Sequence, residues 1–267
     1  MPEVEIANGQ MYYEVDGKGE PLLLIHGVRG SLRNWQYLRP HLRKHFRVIL
    51  PELRGHGRSS PLTEITKVPA FAEDMLALLD ALDLEKCLIA GHSIGGFIAQ
   101  QIALDSPERV KKLILIATAP LVDVDAATAQ IKAGQLAYDP DPQKAVEKLL
   151  SFAFYDSEKI RNTPGMLDLL LNNQEEGVRL ANSHGAAQGA AASFNVQDRI
   201  HEIKLPTLLI IAENDDTFPV KWAEFYQEHM KDVTVRIIPE TNHSINLEQP
   251  EALAQAIIDY VQSENMR

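Results

Sequence analysis

The segment AGHSIGG, residues 90–96, places a serine hydroxyl between glycines two positions before and two positions after it, with a third glycine following directly. An apolar run, CLIAGH, leads into Ser93, and a helical pattern begins near Ile94. The chain must therefore turn sharply from strand to helix at the serine, and a turn that tight leaves no room for side chains at 91 and 95. Gly96 lets the helix approach the sheet. The hydroxyl is then presented at a strand's carboxyl end above a helix N-terminus, where developing negative charge is favoured. A serine is a weak nucleophile at neutral pH, so it needs a base, and the base needs an orienting carboxylate. Two later apolar runs supply both: LPTLLII is followed by AENDDTFP, which holds Asp215, and VTVRIIP is followed by ETNHSINLEQP, which holds His243. Attack on a carbonyl also needs N–H donors for the oxyanion. The amide of Ile94 is one candidate, and the amide of Val28, in the turn HGVRGS after the run PLLLI, is the other.

Other residues compete for these roles. Asp216 adjoins Asp215, and Asp123 and Asp125 follow the run VKKLILIATA, so each is an alternative acid, with Asp123 the one to test. His26, His56 and His92 read as groups that brace the loops around the serine. No histidine falls in a metal-binding spacing such as H-E-x-x-H, and no glycine run has the strand-to-helix context of a phosphate or dinucleotide site, so neither metal nor organic cofactor is expected. Arg29, Trp35, Phe97, Tyr138, Phe154 and Phe218 are candidates to line a substrate pocket. Core packing is the competing reading for each aromatic. Arg29, beside the oxyanion turn, could receive an acidic substrate, and a solvated surface arginine is the competing reading.

The elements that must carry these residues alternate in type. Apolar, β-branched runs at residues 21–27, 46–53, 86–93, 110–119, 205–213 and 233–240 read as buried strands. Helical periodicity falls between most of them: residues 70–84 place Phe71, Met75, Leu78, Leu79 and Leu82 on one face, and residues 250–262 do the same with Leu253, Ile257, Ile258 and Val261. Such alternation predicts an α/β fold, with a mainly parallel sheet covered on both faces and ligands at the strands' carboxyl ends. It breaks between about Leu121 and Ile203, where the sequence is helical without strands and Pro142 and Pro164 are placed to start helices. This predicts a core of residues 1–120 and 204–267 interrupted by a helical cap at 121–203. The small-residue stretch at 181–193 reads as a closely packed helix of that cap, with a flexible linker as the alternative.

Composition limits the partners. The 267 residues carry 37 acidic against 26 basic side chains, a formal net charge of −11, which would repel nucleic-acid backbones and anionic lipid surfaces. Cys87 is the single cysteine and sits in an apolar run, so an intrachain disulfide is excluded and a buried core role is expected. The N-terminal stretch MPEVEIANGQ has no signal-peptide character and no apolar run reaches membrane-spanning length, so a cytoplasmic location is expected. A homodimer is compatible with the sequence, which does not fix the oligomeric state.

Together these segments resemble the α/β-hydrolase-fold superfamily, in its branch of serine esterases, enol-lactonases and carbon–carbon hydrolases. The resemblance covers almost the whole chain: HG-x-x-G at His26, Gly27 and Gly30; D-x-R-G-x-G-x-S at Glu52, Arg54, Gly55, Gly57 and Ser59; GHSIGG around the serine; Asp215 with Pro219; and His243 with Glu248 and Pro250. The order serine, aspartate, histidine is the one such enzymes use. Three positions depart from the family's pattern, with Glu52 in place of Asp, Ala212 in place of Gly and Asn242 where Gly is common. The resemblance implies a twisted parallel sheet flanked by helices, a helical cap, and cleavage of small esters or lactones through an acyl-enzyme. Carbon–carbon hydrolysis and perhydrolysis by the same triad remain alternatives, as does a ligand-binding receptor that retains it. Serine at the turn argues against dehalogenase and epoxide-hydrolase relatives, which use aspartate there.

Overall fold

The computed structural model describes residues 2–62, 66–122 and 139–263, apart from the side chains of residues 177, 178, 181 and 184. Eight strands form one sheet: β1 (Glu3–Ile6), β2 (Gly9–Asp16), β3 (Glu20–Ile25), β4 (Phe46–Pro51), β5 (Cys87–His92), β6 (Val110–Ile116), β7 (Thr207–Ala212) and β8 (Val233–Ile238), in the spatial order β1-β2-β4-β3-β5-β6-β7-β8. The pairings of β1 with β2 and of β2 with β4 are antiparallel, and the rest are parallel. The six apolar runs read as strands coincide with β3 to β8, each strand ending one to three residues before the sequence pattern suggests. Residues such as Leu53, Ser93 and Glu213 carry the apolar or polar signature onward into the loops that build the site.

The helices flanking and capping this sheet are α1 (Arg39–Leu42), α2 (Val68–Ala81), α3 (Ile94–Asp105), α4 (Pro142–Phe152), α5 (Ser157–Asn162), α6 (Met166–Arg179), α7 (Ala181–Ala192), α8 (Lys221–His229), α9 (Ile245–Glu248) and α10 (Pro250–Gln262). Period-two alternation along the central strands explains why both faces of the sheet are covered. Leu23, Ile25, Ile89, Leu113, Leu115 and Leu209 point into one core with Phe71, Met75 and Leu79 of α2 and Phe97, Ile98 and Ile102 of α3. Leu22, Leu24, Leu88, Ile114, Ile116 and Leu208 point into the other with Leu253, Ile257 and Val261 of α10. Cys87 is fully buried, and burial pushes its thiol up to about 12, so it acts as a small apolar core residue.

The antiparallel β1–β2 hairpin escapes the search for apolar runs because it is only half buried. Val4 and Ile6 face inward while Glu3 and Glu5 face solvent, and the register pairs Ile6 with Gly9 across Ala7 and Asn8. The alternation in EVEI and the Asn8-Gly9 dipeptide are the local signals for it.

Between β6 and β7 the chain makes one long excursion whose ends lie side by side. Leu121 bridges Asn195, Val196 N–H donates to Pro120 O at 2.8 Å, and the described elements between are helices α4 to α7. Pro142 is the first residue of α4, with Asp141 capping it by accepting from the Gln143 and Lys144 amides. Pro164 differs from expectation: it precedes Gly165, whose φ of +75° serves as the left-handed cap, and α6 starts at Met166. The small-residue stretch is helical, as α7.

Candidate active site

Ser93 occupies the turn between β5 and α3 with φ 55° and ψ −120°, a conformation that costs a non-glycine residue roughly 1–3 kcal/mol and persists only when its surroundings fix it. The surroundings do so: Ser93 N–H donates to Ile116 O at 3.0 Å, and Ser93 O accepts from Thr118 Oγ1 at 2.9 Å. The flanking glycines are required by contact. A Cβ at Gly91 would lie 2.0 Å from Gly95 O, one at Gly95 would lie 2.2 Å from Ile25 O, and one at Gly96 would meet Thr118 at 2.5 Å. Two of these obstacles are backbone and cannot rotate away. Gly95→Ala is therefore expected to destabilise the protein by about 3 kcal/mol or more. Gly185→Ala, on α7 with nothing within 4 Å of its added carbon, is expected to stabilise by roughly 0.5–1 kcal/mol. Urea unfolding midpoints of the two variants check the contrast.

Asp215 and His243 meet where the β7 and β8 loops join. Asn214 N–H donates to Thr241 O at 2.9 Å, which aligns the two loops. His243 Nδ1 then lies 2.9 Å from Asp215 Oδ2, while Asp215 Oδ1 accepts from the Thr217 and Phe218 amides at 2.8 and 3.0 Å. Burial alone would push the Asp215 carboxyl up, but the His243 charge, its hydrogen bond and the two amides together hold it below the usual aspartate range. Burial alone would push His243 down, and the Asp215 charge and hydrogen bond overcome it, leaving the imidazole above its ordinary value. Asp216 lines the neighbouring cavity and makes no hydrogen bond to His243; Asp123 and Asp125 lie outside the described residues.

Ser93 and His243 open onto one cavity of about 650 Å³ beneath the helices of the excursion. No hydrogen bond joins the Ser93 hydroxyl to the His243 ring among the described residues, a separation common before substrate tightens such contacts. Val28 and Ile94 line the same cavity, and among the described residues neither amide N–H has a protein acceptor. Gly27, in the same turn, packs so closely that an added Cβ would lie 3.0 Å from His92 Nδ1.

The bracing histidines have defined partners. His26 Nε2 accepts from Leu53 N–H at 3.0 Å and its Nδ1 lies 2.7 Å from Gly27 O, which fixes the turn that carries Val28. His56 Nε2 accepts from Arg29 N–H at 3.3 Å. His92 Nε2 donates to His243 O at 2.8 Å, and burial with the neighbouring His243 charge pushes it down to about 3, so it stays neutral as a fixed donor. Among the described residues no group of three His, Cys, Asp or Glu could hold a metal. No helix among them is long and apolar enough to cross a membrane.

The pocket candidates divide. Phe97, Phe154, Phe218 and Arg29 line the cavity, and Arg29 Nη2 donates to Gln188 of α7 at 3.4 Å. Trp35 does not line it: the ring is 1% exposed and packs in the core under the sheet, edge-on to His92 at 6.4 Å. Its fully apolar neighbours, Leu38 and Leu42, make it a core residue. Tyr138 lies outside the described residues. Asn173, Gln174, Gln188 and Lys148 also line the cavity, and no sequence pattern singled them out, because which face of a helix in the excursion looks inward depends on how the excursion seats on the sheet.

A parallel sheet with this turn, these two loops and this excursion defines the class of the protein. The chain belongs to the alpha/beta hydrolase fold family, whose model matches residues 20–250, and it is a hydrolase of that fold. Among curated proteins it is similar to the dihydrolipoyllysine-residue acetyltransferase component of the acetoin cleaving system of Pseudomonas putida, at 31% identity over 94% of this chain and 66% of that one. The chain thus spans just under two thirds of that relative's length. It is also similar to the pimeloyl-[acyl-carrier protein] methyl ester esterase of Pectobacterium carotovorum, at 26% identity over 95% of this chain and 99% of the other. Among solved structures, a thermophilic esterase from Thermogutta terrifontis superposes with a TM-score of 0.82 at 26% identity, covering 98% of each chain.

Proposed function

We propose that this hydrolase cleaves small carboxylic esters or lactones through a covalent acyl-enzyme formed on Ser93. The observation that carries the reading is the convergence on one cavity of Ser93, the Asp215-paired His243 and the two amides of Val28 and Ile94. The esterase names of two relatives that align along nearly their whole length support the choice of ester. Ser93 Oγ attacks the carbonyl carbon while His243 Nε2 takes its proton. The Val28 and Ile94 amides hold the oxyanion as the C–O double bond becomes single. Collapse expels the alcohol, which takes the proton from His243, and leaves the acyl group on Ser93. Water then attacks with its proton passing to His243, and the acid leaves with Ser93 Oγ reprotonated. Asp215 holds Nδ1–H throughout and stabilises the imidazolium.

The test is turnover of p-nitrophenyl acetate and butyrate by the purified protein, with intact mass measured after treatment with an organophosphate. Sustained turnover and a single adduct on Ser93 are expected. An adduct without turnover would replace the hydrolase by a ligand-binding member of the fold, and no adduct would remove Ser93 from the chemistry.

The pH profile follows from the ion pair. His243 must be neutral to accept the serine proton, and Asp215 holds its proton on more tightly than in a free imidazole. We expect kcat/KM to rise with pH through one proton loss whose midpoint lies above the ordinary imidazole value, measured on p-nitrophenyl butyrate in buffers of constant ionic strength. The stability contribution has the opposite sense for the two partners. That of His243 is full at low pH and is lost as pH rises through its raised value; that of Asp215 is full at neutral pH and is lost as pH falls through its lowered one.

A further inference from the structure

Asn242, the residue before the base, has a side chain that works in two directions. Its Oδ1 accepts from His243 N–H at 2.7 Å, and its Nδ2 donates to Phe152 O, at the end of α4, at 3.0 Å. A second bridge runs beside the first. Asn242 N–H donates to Glu248 Oε2 at 2.7 Å, and the other oxygen of that buried carboxylate accepts from Tyr155 N–H at 2.6 Å. Lys159 of α5 adds a third contact, donating to Glu248 O at 3.0 Å. The cap segment between the anchor points is Phe152, Ala153 and Phe154, and all three line the same cavity as Ser93. The wall against which a bound acyl group would press is thus cross-linked to the loop that carries the base.

We infer that Asn242 is a positioning residue that couples occupancy of the Phe152–Phe154 wall to the orientation of His243, so that acyl chains long enough to reach that wall are the preferred substrates. The inference rests on the hydrolase reading above. A long acyl chain seats the cap turn, the Phe152 carbonyl holds the Asn242 amide, and the Asn242 carbonyl holds the His243 backbone for proton transfer. A short acyl chain is cleaved by the same groups with the wall unloaded, so it loses in kcat more than in KM. Asparagine suits the position because one end of its amide accepts and the other donates. Aspartate keeps the acceptor for His243 N–H but sets a second acceptor against the Phe152 carbonyl; alanine removes both contacts.

The experiment compares p-nitrophenyl acetate with p-nitrophenyl hexanoate on the wild type, Asn242→Asp and Asn242→Ala, alongside thermal midpoints. Rates of Ser93 phosphonylation by the p-nitrophenyl esters of ethyl- and hexylphosphonate are read in parallel by intact mass. For the wild type, kcat for hexanoate should exceed that for acetate by on the order of tenfold, the worth of one well-placed contact. In both variants that ratio should fall towards one, with KM for hexanoate moving less than kcat. Glu248→Gln, which can accept from only one of its two amide partners, should move the ratio the same way by less and serves if either Asn242 variant fails to fold. A wild-type ratio near one, a ratio preserved in the variants, or a change confined to KM would overturn the inference. If the wild type is phosphonylated but turns over no ester, the hydrolase reading fails and the phosphonylation ratio decides the coupling by the same criteria. If it is not phosphonylated at all, both fall together.

Discussion

Ser93→Ala is expected to lower kcat on p-nitrophenyl butyrate by roughly 10⁴–10⁶-fold, the range over which removal of a triad nucleophile acts elsewhere. The substitution deletes one oxygen from a residue that is 8% exposed. It leaves every backbone contact that fixes the turn: the Ser93 amide still reaches Ile116 O, and the carbonyl still receives the Thr118 hydroxyl. Alanine bears the same φ of 55° as serine, since each has a Cβ and neither has glycine's freedom. The thermal midpoint should therefore stay close to that of the wild type, or rise, because the site no longer holds a polar group for chemistry. Measured together, a collapse in turnover with an unchanged midpoint and no organophosphate adduct identifies the nucleophile. A folded variant with undiminished turnover would remove it.

How much of this was legible in the sequence depends on how local each feature is. Gly91, Gly95 and Gly96 mark the Ser93 turn because the three stand within six residues around the serine, although the contacts they clear reach from Gly95, four positions after Gly91, to Ile25 in the neighbouring strand β3 and Thr118 just past β6. Asp215 and His243 could be found because each follows an apolar strand, and strand order in a parallel sheet brings those ends together. The β1–β2 hairpin was obscure because a half-buried edge pair needs no continuous apolar run. Trp35 misleads for a related reason: an aromatic four residues past the turn HGVRGS is equally suited to the pocket or to the core, and only the path of the chain through Leu32 and Leu38 sends it under the sheet. The excursion between β6 and β7 is least legible. Asn173 and Gln188 face the cavity because of how α6 and α7 lie over it, held by contacts such as Glu176 Oε1 with Gly57 N–H at 2.6 Å and Ser183 Oγ with Leu62 N–H at 3.0 Å. Those contacts join residues more than a hundred positions apart, and no local pattern encodes them.

Asp215→Asn should be the second largest loss, about 10⁴-fold in kcat, although it changes neither size nor shape. The amide oxygen can keep the Thr217 and Phe218 N–H groups, which now hold Oδ1 at 2.8 and 3.0 Å. The amide nitrogen then faces His243 Nδ1, where the carboxylate oxygen stood at 2.9 Å. Two donors cannot share that contact, so the imidazole takes the tautomer with Nδ1 bare and its proton on Nε2, pointing towards Ser93. A base that already carries a proton on the nitrogen facing its substrate cannot accept another there. The lost charge has a second effect that can be measured separately. The Asp215 carboxylate holds the His243 value up, so its removal should move the midpoint of the remaining kcat/KM profile to lower pH while the plateau falls. Asp216→Asn is the control, since Asp216 borders the cavity without bonding His243, and it should change kcat by no more than about threefold, as expected of a partly solvated carboxylate. A large loss in Asp216→Asn with a mild one in Asp215→Asn would reassign the acid, because the tautomer argument requires the group in contact with Nδ1 and no other.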